Sequence, residues 1–123
     1  MSSPEPQVGP VYLDTHLALS QIGDEEAMHS MLLMLQESLA RDIPLIAQLF
    51  RDGDLVAANR VLHALKGFVP IFCNEHLCEH VVRVEGLSKD RHSISAGPAY
   101  GVLMPELEQL LSEVSAHLQA SAA

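Results

Sequence analysis

The chain has 123 residues, 7 Lys plus Arg against 16 Asp plus Glu, and a formal net charge of −9 with histidine neutral. That length suits a single domain, one able to bury roughly 65–70% of its unfolded surface, and the 48% hydrophobic content is enough for a core. An acidic balance without a basic cluster argues against nucleic acid. The longest unbroken apolar run, Met31 to Leu35, is five residues, against about 20 for a membrane span.

The N-terminal Met-Ser-Ser-Pro-Glu-Pro-Gln carries neither the positive patch nor the apolar stretch of a secretory signal, so a cytoplasmic protein is expected. Cys73 and Cys78 stand five apart, on different faces of one helix, and read as free thiols in a reducing compartment. Pro4, Pro6, Gly9 and Pro10 make residues 1–10 a semi-extended tail or linker, and residues 11–120 are expected to form the domain.

Everything after the tail reads as helix. Asp14 caps a short helix to about Ile22, closed by Gly23. Asp24 caps a long second helix, with Glu25 and Glu26 complementing its positive end. Its apolar stripe is Met28, Met31, Leu32, Leu35, Leu39, Ile43, Ile46, Leu49 and Phe50, and Pro44 is expected to bend or loosen it. Asp52-Gly53-Asp54 is a stop, a glycine and a new cap, after which a third helix returns with Leu55, Ala58, Leu62, Leu65, Val69 and Phe72 on one seam. A fourth helix with Leu77, Val81 and Val84 follows Cys73 and ends near Ser88. Lys89 to Gly101 reads as a loop. The last helix carries Leu103, Leu107, Leu110, Val114 and His117 or Leu118, fraying in the alanine-rich tail. The fold class expected is all-α, an antiparallel four-helix bundle with a short additional N-terminal helix and a core of leucines and methionines.

His63 is the informative residue. On a wheel of 100° per residue it lies about 130° from the seam of its helix and should face water. Asn59, Lys66 and Gly67 stand four before, three after and four after it, bordering the imidazole. An exposed neutral imidazole is a nitrogen nucleophile that can accept a phosphoryl group reversibly. Lys66 supplies a cation for the new dianion. Gly67 costs about 1 kcal/mol relative to alanine in mid-helix, and an open approach for a second protein is a reason to keep it.

His63-Ala64-Leu65-Lys66-Gly67, set mid-helix in an acidic helical chain, resembles the signature of the histidine-containing phosphotransfer (HPt) domain, and the resemblance extends from about Tyr12 to Leu118. It implies a helical bundle whose histidine takes phosphate from one receiver-domain aspartate and hands it to another. By position, His63 would be the phospho-acceptor, Lys66 the phosphoryl-stabilising cation and Gly67 the access residue. Such a chain is a carrier with no kinase or phosphatase activity of its own. It binds no cofactor itself, Mg²⁺ being expected on the receiver. The implied partners are the receiver of a hybrid sensor kinase and a response regulator, met by a monomer. The alternative is a helical module that binds receivers without being phosphorylated.

Phe68, Val69 and Pro70 depart from the small polar residues usual after the glycine, and Cys73-Asn74 replaces the usual Gly-Ala. Pro70 removes the amide that would bond to the Lys66 carbonyl, so a kink is expected just beyond the active turn. Pairing of the second and third helices would set the Arg41 to Leu45 stretch, with Pro44, beside His63, and a receiver would then cover Asn59, Arg60, Gly67 and Pro70. Cys73, His76 and His80 share one helical stripe with metal-ligand side chains. The reading preferred is a partly buried cysteine with surface histidines. His16, His29, His92 and His117 share no pattern. The acidic surplus reads as solvated surface, or as a means of selecting among receivers.

Overall fold

A computed structural model describes residues 10–122, and most of the 1–10 tail lies outside them. The described chain is all-α: α1 (Thr15–Ile22), α2 (Glu25–Arg51), α3 (Leu55–Phe68), a 3-10 turn (Val69–Ile71), α4 (Glu75–Ser88) and α5 (Ala96–Ala122). No described helix is long and apolar enough to cross a membrane.

The helix starts follow from single side chains. The carboxylates of Asp14, Asp24 and Asp54 accept the N–H groups of Leu17, Ala27 and Ala57 at 3.0, 2.8 and 3.1 Å, each satisfying a donor that the first turn leaves free. Gly23 and Gly53, with φ of 84° and 73°, take the left-handed conformation that closes α1 and turns the chain between α2 and α3. α2 runs through Pro44 unbroken. The Tyr100 hydroxyl donates to the Ile43 carbonyl at 2.7 Å, tying α5 to α2 at the turn where the proline removes a helical donor.

Two boundaries differ from expectation. α3 does not kink and continue to Phe72. It ends at Phe68 in the 3-10 turn holding Pro70, and the amides of Phe72 and Cys73 both donate to the Val69 carbonyl at 3.0 Å. A tighter turn absorbs the missing amide. α5 begins at Ala96, inside the stretch expected as loop, and continues through the alanine-rich end. Pro98 falls in its first turn, where a missing N–H costs nothing, and Ser93 Oγ accepts from the Ala96 amide at 3.2 Å.

α2 packs on α3, α3 on α4, α4 on α5 and α5 on α2, a closed ring of four helices with α1 against α2. The apolar stripes meet inside it, with Leu32, Leu35, Leu39, Ile46, Leu62, Leu77, Leu103, Leu107 and Leu110 fully buried. The segment before α1 is strapped across one side. Glu113 of α5 accepts the amides of Val11, Tyr12 and Leu13 at 2.7, 2.9 and 2.9 Å. Leu13 and Cys73 form a single antiparallel bridge. Asn74 explains its own place in the sequence: its Oδ1 caps α4 by accepting from Leu77, and its Nδ2 donates to the Val11 carbonyl at 2.7 Å.

Candidate functional site around His63

α3 places His63 on its outer face, its side chain 67% exposed. The neighbours that orient it come from α4. Glu85, its side chain only 2% exposed, faces Nδ1 of His63 through Oε2 at 3.2 Å and accepts from Lys66 Nζ through Oε1 at 3.2 Å. Asn59 Nδ2 donates to Glu85 Oε2 at 3.3 Å, to the Glu85 carbonyl at 3.1 Å and to Ser88 Oγ at 3.0 Å. Lys89 Nζ lies 3.8 Å from Glu85 Oε1. A carboxylate taken out of water is stable only when donors surround it, and these supply them.

Burial alone would push the Glu85 carboxyl upward; hydrogen bonds from His63 and Lys66, with the charges of Lys66 and Lys89, outweigh it and hold the group below its ordinary range. An ionised carboxylate only accepts, so the Nδ1 facing it carries the proton. The lone pair of the neutral ring is then on Nε2, on an exposed side chain. Each of these residues has a local reason to be where it is. Asn59, His63 and Lys66 are spaced by four and three on one flank of α3, while Glu85 and Ser88 sit on the flank of the α4 stripe of Leu77, Val81 and Val84 that meets it.

A Cβ added at Gly67 would meet nothing within 4 Å, and the same holds at Gly86, the residue after Glu85. Packing within the chain gives no reason for either glycine. Arg60 lines an open concavity of about 450 Å³ together with Val56, Asn59, His63, Glu85 and Lys89. Pro70 is exposed in the 3-10 turn beyond α3. On α2, Pro44 lines a groove against α5 with Ile43, Met104 and Glu108, and Arg41 pairs with its neighbour Asp42 at 2.9 Å.

Sequence reasoning missed Glu85, Ser88 and Lys89. A signal was present, since Glu85 and Ser88, like His80 before them, are polar residues at the inward spacing of the α4 stripe of Leu77, Val81 and Val84. It also missed two histidine arrangements. His80 is buried, with Nδ1 2.7 Å from Glu106 Oε1, and exposed His76 reaches the other oxygen of Glu106 at 3.5 Å. Cys73 is buried, which pushes its thiol up strongly. Cys73 and Cys78 are both free thiols, and among the described residues no three His, Cys, Asp or Glu side chains are arranged to hold a metal ion. His16, His29 and His117, unrelated in sequence, line one cleft with Glu25 and Glu26.

No protein-family model, no curated protein and no solved structure matches the chain. What the fold and site define is a class, an all-α helical chain presenting one exposed imidazole backed by a buried carboxylate.

Proposed function

We propose that the chain is a histidine phosphotransfer module. It accepts a phosphoryl group on Nε2 of His63 from a receiver-domain aspartate and passes it to the receiver of a response regulator. The observation that carries this reading is the exposed imidazole whose Nδ1 is held by buried, ionised Glu85. The HPt-like pentapeptide from His63 to Gly67 supports it independently.

The chemistry balances without a proton leaving the ring. The Nε2 lone pair forms the N–P bond as the aspartyl O–P bond breaks, and the departing carboxylate stays with the receiver. Positive charge that develops on the imidazole is offset by Glu85 through Nδ1–H, an interaction that strengthens as the reaction proceeds and so favours the transition state over the ground state. Mg²⁺ and the aspartyl phosphate belong to the receiver, and this chain's contribution is positioning and charge.

The test incubates the protein and its His63→Gln variant with Mg²⁺ and a set of receiver domains phosphorylated by acetyl phosphate. Acid-labile, base-stable label is expected on the parent and not on the variant. Label that never reaches the parent, or reaches His63→Gln equally, contradicts the reading. Receiver binding without label is the outcome of a docking module.

A further inference from the structure

Of the two cations three residues from His63 in sequence, Lys66 is already committed. Lys66 is only 28% exposed and its ammonium donates to Glu85, so much of its charge is neutralised by the buried carboxylate. Two other cations stand differently. Arg60, three residues before His63, lies about 60° round the helix on the side away from Lys66, and it makes no ion pair among the described residues. Lys89, 63% exposed, is at the loose distance of 3.8 Å from Glu85 and has the length to swing outward. Both line the concavity that opens beside the imidazole, and Lys66 is not part of its wall.

We propose that this concavity is a phosphoryl-oxyanion site whose charge is supplied by Arg60 and Lys89, with Lys66 serving Glu85 instead. The inference rests on His63 being the phospho-acceptor and adds which residues receive the dianion. A phosphoryl group on Nε2 brings three acceptor oxygens. Arg60 offers a planar fork of donors to two of them, and Lys89 a point charge to the third. In a chain of net charge −9 with seven Lys plus Arg, Arg60, Lys66 and Lys89 gather around one imidazole, and the acid that lines the concavity with Arg60 and Lys89 is the buried Glu85.

Cations beside a phosphoryl group favour its dianion and lower the pH at which it takes up a proton. The experiment phosphorylates the protein with phosphoramidate, a small donor that needs no receiver. The P–N bond of the donor breaks, ammonia leaves and the N–P bond to His63 forms. ³¹P resonances are followed from about pH 9 to 5.5, which spans the second phosphoryl ionisation near pH 6. Comparison with His63→Gln identifies the His63 signal among those of the other histidines.

The midpoint for that signal is expected to rise by about half a unit or more in Arg60→Gln/Lys89→Gln relative to the parent, and by less in Lys66→Gln. An unmoved midpoint in the double variant, or a shift confined to Lys66→Gln, overturns the assignment and leaves the carrier reading intact. Absence of any signal specific to His63 overturns both. Both substituted side chains are exposed, and a circular dichroism spectrum equal to the parent's is the check that the double variant folds.

Discussion

At the scale of single residues the pivotal group is Glu85, a carboxylate that the fold buries beneath an exposed imidazole. Its carboxyl is held below the ordinary value of 4.5, so the sign of its effect on stability is fixed. A group depressed in the folded state contributes stability above its unfolded pKa, and loses it as pH falls through the folded value. The stability gap between the parent and Glu85→Gln should therefore be widest at neutral pH and narrow below about pH 4.5, as read from urea midpoints. A gap that does not vary with pH would show that the carboxylate is not ionised in its site. The same variant keeps an acceptor for Nδ1–H but loses the charge that offsets the imidazolium, and transfer into His63 should slow about tenfold or more.

His63, Lys66, Gly67 and Asn59 were legible because spacings of three and four along one helix settle which side chains are neighbours. Glu85 is 22 positions away on another helix. Its polar interruption of the α4 stripe marked it as unusual but did not name its partner.

At the scale of elements, the caps were readable because each is a local bond spanning three residues, and Asp14, Asp24 and Asp54 all act as their sequence context implies. The boundaries that were misjudged both involve proline, whose meaning depends on its position within a turn. Pro98 in a first turn is neutral, whereas Pro70 after Phe68 ends a helix. The strap before α1 was invisible because its partners are long-range, foremost Glu113, roughly a hundred residues along the chain from the amides of Val11, Tyr12 and Leu13. Those bonds, with the one from Gln109, hold the Glu113 carboxyl below its ordinary range despite burial. A single hydrogen bond to a charged group contributes about 1.5–3 kcal/mol, but bonds that share one carboxylate are not additive, so Glu113→Ala should cost about 2–4 kcal/mol in urea denaturation. Amide exchange at Val11 to Leu13 should accelerate. Unchanged stability and protection would mean that the strap is held by its other bonds, from Asp14 N–H to the Phe72 carbonyl and from the Asn74 amide and side chain to the Tyr12 and Val11 carbonyls.

At the scale of the molecule, helical periodicity revealed which face of each helix is buried, and those stripes close into one core. Periodicity is silent on which neighbour lies to the left and which to the right of an exposed residue. That is why the α3 helix alone did not point to Glu85 of α4, the side chain that bonds His63. The global charge was similarly incomplete as a guide. A chain of net charge −9 places Arg60, Lys66 and Lys89 around His63 and Glu85, so the surface there carries more positive charge than the whole molecule implies.

The central claim is that Glu85 keeps the proton on Nδ1 of His63 and leaves Nε2 to react, and it is read most directly from ¹⁵N-labelled imidazoles. Long-range ¹H–¹⁵N spectra recorded before and after phosphorylation should show His63 as the Nδ1–H tautomer, then phosphorylated on Nε2 with Nδ1 still protonated. Phosphate on Nδ1, a resting Nε2–H tautomer, or a His63 ring unchanged by phosphoryl donors would contradict it.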